Sequence, residues 1–233
     1  MVPVFPLFGA NVEPRSDVMG TSSPLTWSIV IPVKVLARAK TRMSGLDDSD
    51  REALALAMAA DTVAAAVGCP PVGGVLVVSD DPMVRAQASA MGAEVTADPS
   101  TVGLNGALVA GAELAARRWP GSGLAALTAD LPALTSGALE AALTAASAVG
   151  QAFVADAAGS GTTLYAASPG ARFSPRFGQR SSDRHRQAGA AEIDLPGLDG
   201  LKRDVDTLAD LQDAAKIGLG TRSAAIEASL AVR

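Results

Sequence analysis

The chain has 233 residues, 48% hydrophobic, 18% charged and only 3% aromatic, and 19 basic against 24 acidic side chains leave a formal charge of −5. That length fits one globular domain with a core that forms without staples, while the negative balance excludes a generally basic nucleic-acid binder and the shortage of aromatics a stacking platform for single strands. One Cys (Cys69) and one His (His185) exclude a disulfide framework and a His/Cys zinc cluster, so any metal would be a hard cation such as Mg2+ on carboxylates.

Residues 2–8 are apolar but broken by Pro3 and Pro6, and they lack the basic start of a secretory signal. Residues 9–24 are rich in Gly, Pro and Ser and show no periodicity, so 1–24 reads as a disordered leader. No apolar run reaches the roughly 18 residues of a membrane span, and the expected setting is cytoplasmic. From residue 27 short β-branched runs alternate with Ala/Leu segments. Segment 27–33 (WSIVIPV) reads as a buried strand, and 47–67 as a helix stopped by Gly68. A strand follows at 75–78, a helix at 82–91 with Pro in its first turn, and a short strand at 93–96. Helix 104–119, strand 124–128, helix 136–149 and strand 151–155 complete a βαβ rhythm that means a mainly parallel sheet with helices on both faces. Beyond residue 155, Gly and Pro punctuate an irregular stretch. It holds a short helix at 182–187, strand pieces at 193–195 and 201–205, and a last helix at 207–216. One α/β domain over 25–220 is expected, with 221–233 a tail of a helical turn or two.

In open α/β sheets ligands lie beyond the carboxyl ends of the strands. The first such loop, 34–42, carries Lys34, Arg38, Lys40 and Arg42 with no acid between them. Four cations there suit a polyphosphate anion, although a solvated basic loop reads equally well. Its glycine-free spacing is neither a Walker A loop nor a G-x-G-x-x-G fingerprint, which disfavours a nicotinamide oxidoreductase. Asp130 follows the fourth parallel strand in Asp130-Leu131-Pro132, as a cation ligand or a turn cap. In Asp204-Val205-Asp206-Thr207, an extended backbone puts both carboxylates on one face and Val205 in the core. Asp206 or Thr207 could equally cap the next helix, with Asp210 assisting. Gly159-Ser160-Gly161-Thr162-Thr163 and 176–182 are rich in backbone and hydroxyl donors suited to phosphate or carboxylate. Five Arg against one acid between Arg172 and Arg186 make a local positive patch, or else a solvated basic helix. His185 sits among those Arg, which disfavours its protonation; it reads as a neutral surface or substrate-facing donor rather than a general base.

The ordered set Ile31-Pro32-Val33-Lys34, Ala39-Lys40-Thr41-Arg42, Gly103-Leu104-Asn105, Asp130-Leu131-Pro132, Arg176-Phe177-Gly178 with Ser181-Ser182, and Asp204-Val205-Asp206-Thr207 resembles one family over 27–218. That family is the guanylyltransferases of coenzyme F-420 biosynthesis, related to molybdenum-cofactor guanylyltransferases. The resemblance implies a single-domain Rossmann-like nucleotidyltransferase fold of GT-A type. It also implies a reaction in which GTP activates phosphoenolpyruvate or 2-phospho-L-lactate with release of pyrophosphate. By motif, Asp130, Asp204 and Asp206 match the Mg2+ ligands, and Thr162, Gly178 and Ser181 the residues that hold phosphoenolpyruvate. Lys34, Lys40 and Arg42 match the basic loop at the triphosphate, with Lys40, Arg42 and Asp130 catalytic, and Asn105 falls where the nucleoside is held. Other acceptors (3-phosphoglycerate, a sugar phosphate, a molybdopterin) and a non-catalytic nucleotide-binding module are the alternatives. Oligomeric state is not legible.

Overall fold

The computed structural model describes residues 26–36, 40, 43, 45–99 and 103–231; the leader expected over 1–24 and Arg42 lie outside them. The elements are β1 (Trp27–Pro32), α1 (Asp48–Val67), β2 (Val72–Val78), α2 (Pro82–Ala90), β3 (Glu94–Thr96), α3 (Gly103–Arg118), β4 (Gly123–Leu127) and α4 (Ser136–Ala146). They continue as β5 (Gln151–Ala155), β6 (Thr162–Ala167), α5 (Ser181–Gln187), β7 (Ala191–Glu192), α6 (Asp199–Lys202), α7 (Leu208–Ile217) and α8 (Thr221–Ala231). The strands form one sheet in the order β3-β2-β1-β4-β6-β5-β7. All pairs are parallel except those of β6, which runs against both β4 and β5.

β1, apolar but for the buried Ser28, is covered on both faces, as parallel strands under two helical layers require. Ile29 and Ile31 pack towards α1, α2 and α4, while Val30 meets Leu108 and Ala112 of α3. A third cluster joins Leu54 and Met58 of α1 to Leu211 of α7 and Ile226 of α8. No helix is long and apolar enough to cross a membrane among the described residues.

Three expectations need correction. The stretch after residue 155 contains a full strand, β6, all six residues of which are buried; a strand buried on both faces shows no polar alternation, and the Gly and Pro around it masked the signal. Segment 201–205 is no strand. Its start belongs to α6, and the Val205 N–H is donated to the Asp130 carbonyl at 3.1 Å rather than to a sheet neighbour. The tail is a helix docked on α1: the buried Asp61 carboxylate accepts the Arg222 N–H at 3.2 Å and the Ser223 N–H at 2.7 Å, capping α8 from outside its own sequence.

Candidate active site

The chain lays β1, β2 and β3 outward in one direction and then returns to place β4 on the other side of β1. This reversal opens a crevice at the carboxyl ends of β1 and β4. The loop after β1 brings Lys40 there and the loop after β4 brings Asp130. The Lys40 ammonium donates to Asp130 Oδ2 at 2.6 Å and to Asp206 Oδ1 at 2.9 Å, although 90 and 166 residues separate the partners. Burial opposes the charge on Lys40, but the Asp130 and then the Asp206 carboxylates outweigh it and raise its pKa above the ordinary lysine range. Lys34 is exposed just past β1.

Asp204 joins the same group. Burial, and then the charges of Asp130, Asp156 and Asp206, push its carboxyl up to about 7 against a weaker opposing pull from Lys40. The bond from Val205 to the Asp130 carbonyl holds this segment on the β4 loop, and Val205 is buried. Thr207, not Asp206, caps α7, in a reciprocal box with Asp210. Capping and charge clustering therefore fall to different members of the set.

Whether these acids suit a dication can be tested on their side chains. As arranged, no three His, Cys, Asp or Glu side chains among the described residues stand in a metal-binding group, and Lys40 bridges two of the acids. Yet Asp130 Oδ1 is buried without a hydrogen-bond partner, and burial, followed by the neighbouring carboxylates, raises the Asp204 pKa. An all-oxygen set with an unsatisfied buried acceptor fits a hard cation.

Beside the acids lies a donor-rich wall. Asp156, at the end of β5, accepts the Ser160 and Gly161 N–H groups at 2.9 and 2.8 Å. Glycine at 161 leaves room for this carboxylate, because a Cβ would stand 2.3 Å from Asp156 Oδ2 and displace it. This turn leads into Thr162, and Ser182 at the start of α5 donates its hydroxyl to the Gly159 and Ser160 carbonyls at 2.7 and 3.0 Å. Gly178 has φ +114°, a conformation open to glycine, and its carbonyl accepts the N–H of the buried Ser181 at 3.1 Å. Thr162 is thus brought to the same edge as Gly178 and Ser181 through the contact of the β5–β6 turn with α5.

Asn105 sits in the first turn of α3 and faces this wall: its amide donates to the Phe177 carbonyl at 3.0 Å and accepts the Phe177 N–H at 2.8 Å. Arg184 donates to the same carbonyl at 3.0 Å. His185 is fully buried and stacked on Tyr165 and Phe153, not on the surface. Burial, then the Arg176 and Arg184 charges, lower its pKa to about 4, with the Ser181 backbone acting weakly the other way. The positive patch is partly self-neutralised, since Arg180 and Arg186 pair with Asp183, and Arg186 also with Glu192.

Two residues escaped the sequence reading. Asp156 follows a strand directly, and that position is its signal. Asp81 carries the β1 loop: it accepts the Leu36 N–H at 3.0 Å while capping α2 through Met83 and Val84. Nothing in the one-dimensional pattern separates that task from an ordinary helix cap.

A mostly parallel sheet with charged loops at this crevice is the architecture of nucleotidyltransferases. It is shared with a Desulfovibrio desulfuricans protein described as a nucleotide-diphospho-sugar transferase (TM-score 0.66, 14% identity, 88% of this chain and 95% of that one). A nucleotidyl transferase from Methanothermobacter has the same fold (TM-score 0.54, 17% identity, 82% and 97%). The family model for "Guanylyl transferase CofC like" matches residues 27–224. Phosphoenolpyruvate guanylyltransferase of Thermomonospora curvata is 54% identical over 88% of this chain and 90% of its own; that of Streptomyces coelicolor is 48% identical over 89% and 99%. The chain belongs to the CofC-like guanylyl transferase family and is a nucleotidyltransferase.

Proposed function

We propose that the enzyme joins GMP from GTP to phosphoenolpyruvate with release of pyrophosphate, in the cytoplasm, as a step of coenzyme F-420 biosynthesis. The observation that carries this reading is the Lys40–Asp130–Asp206 cluster, linked to the β5–β6 turn through the action of Asp156 on Asp204. In this reading Lys34, Lys40 and Arg42 serve the triphosphate. Thr162, Gly178 and Ser181 hold the acid. Asn105 would reach the nucleoside only with the amide hydrogen not given to Phe177.

The acceptor's phosphate oxygen attacks the α-phosphorus of GTP in line, and the bond to pyrophosphate breaks. A phosphate monoester is already largely ionised near neutral pH, with a second pKa of about 6, so no general base is needed. The state of His185 supports this, because both its ring nitrogens are engaged inside the core. Catalysis then consists of positioning and charge neutralisation. Lys40 offsets the charge that grows on the leaving pyrophosphate. Asp130, Asp204 and Asp206 would hold Mg2+, which when bound supplies charge neutralisation between two anionic substrates.

A pyrophosphate-release assay tests the proposal with GTP, ATP and CTP against phosphoenolpyruvate, 2-phospho-L-lactate and 3-phosphoglycerate, with and without Mg2+. Release is expected with GTP and phosphoenolpyruvate and only with Mg2+. Release with a different acid alone would move the substrate, and none with any pair would remove the reading.

A further inference from the structure

His185 connects the two segments that form the acid-binding wall. Its Nε2 accepts the Arg176 N–H at 2.8 Å, and its Nδ1 lies 3.0 Å from Thr162 Oγ1. A backbone N–H can only donate, so Nε2 carries no proton, and the single proton of a neutral ring is on Nδ1. Nδ1 therefore presents its proton to the Thr162 oxygen, with the Ser181 backbone a weaker neighbouring acceptor. The opposite tautomer would set two N–H groups against each other across 2.8 Å.

The surroundings hold that arrangement. Tyr165 and Phe153 stack on the imidazole at 4.8 and 5.5 Å between centroids, and Phe177 meets its edge at 5.7 Å. The backbone that supplies the Arg176 N–H is pinned one residue on, by Asn105 on both sides of Phe177 and by Arg184 on its carbonyl. The wall would also not form on regular pairing. Thr162 would then share a face with Leu164 and Ala166, opposite Tyr165, but the register shifts between Val154 and Ala155. Such a bulge re-aims a side chain, here onto the His185 face.

We propose that His185 is a positioning residue that fixes the Thr162 hydroxyl as a hydrogen-bond donor towards an anionic oxygen of the acid substrate. Because Thr162 Oγ1 accepts from the ring, its own proton is left to point elsewhere. A hydroxyl locked in this sense favours a phosphate or carboxylate oxygen and disfavours any group that can only donate. The inference rests on the reading that Thr162 belongs to the acid pocket, and it adds the polarity of that contact and the residue that sets it.

The chain has one histidine, so long-range proton–nitrogen spectra of the full 15N-labelled protein report His185 alone. Between pH 6 and 8 the neutral tautomer with the proton on Nδ1 is expected; a proton on Nε2, or an imidazolium, overturns the proposal. In steady-state kinetics His185→Phe, which keeps a stacking ring, is expected to raise KM for phosphoenolpyruvate about tenfold or more, the scale of one hydrogen bond to a charged group. KM for GTP stays at the wild-type value. Thr162→Val gives the same defect, and the double variant is no worse than either single one. His185→Asn, whose amide can still donate to Thr162, recovers part of the loss and serves if the Phe variant fails to fold. A parallel rise in both KM values, or additive losses, overturns the proposal. Absence of turnover by the wild-type enzyme with GTP and phosphoenolpyruvate would instead remove the substrate reading, with the tautomer still decided by the spectra.

Discussion

Lys40 has a left-handed backbone, φ +52°, which residues other than glycine adopt infrequently. Two carboxylates on its ammonium compensate for that conformation. Lys40→Met keeps the stem and removes the charge, leaving Asp130 and Asp206 without their shared cation; kcat/KM for pyrophosphate release is expected to fall by about 10² or more, and a wild-type rate would exclude Lys40 from catalysis. His185 gives a pH prediction. Its pKa is lowered from 6.5 to about 4, so the fold prefers the neutral ring. That contribution is complete above pH 6.5 and is lost as pH falls through about 4. Asp204, raised to about 7, contributes with the opposite sign over the same window. The quantity to follow is therefore the stability difference between wild type and His185→Asn in urea titrations at pH 7.5, 6, 5 and 4. It should shrink as pH falls, by at most about 1.4 kcal/mol per pH unit. The neutrality of His185 was legible from its Arg neighbours. Its burial was not, because the rings that enclose it come from β5, β6 and the 176–178 loop and meet only in three dimensions.

At the scale of elements the βαβ first half was readable nearly strand by strand, since each buried run and capped helix declares itself locally. The second half was not. β6 lacks alternation, the β5–β6 bulge has no sequence mark, and α8 is capped by a residue from α1. That last contact carries its own prediction. Asp61→Ala leaves the Arg222 and Ser223 N–H groups without their acceptor and should lower stability by about 1–2 kcal/mol, as loss of a helix cap does. Thermal unfolding of the variant reads it. Since Gly220 donates to the Pro132 carbonyl at 2.7 Å, the same cap steadies the far side of the Asp130 loop. Looser α8 docking is therefore expected to lower kcat more than it alters either KM. Unchanged unfolding would show that α8 is held without the Asp61 cap, by its apolar contacts and the Gly220–Pro132 bond.

Across the whole molecule the net charge of −5 conceals an uneven distribution. Basic residues gather on the loop after β1 and around α5, while Asp130, Asp156 and Asp206 bear on Asp204 at the edge between them. Without a cation the fold carries that repulsion with Lys40 as its main counterweight. A dication that binds these acids in the folded state and not in the unfolded chain must stabilise the protein by linkage, about 2.7 kcal/mol at a hundred times its Kd. Mg2+ without nucleotide is therefore expected to raise the melting temperature of the wild-type enzyme beyond an ionic-strength-matched sodium control. Asp130→Asn removes one charge from the group and turns one carboxylate oxygen into an amide. In the sodium control its melting temperature sets its own reference, because relief of repulsion is opposed by loss of the Lys40–Asp130 ion pair; it should lose most of the Mg2+ increment together with Mg2+-dependent turnover. An equal Mg2+ increment in both proteins would place the ion away from Asp130, and the acids would then serve only to orient Lys40.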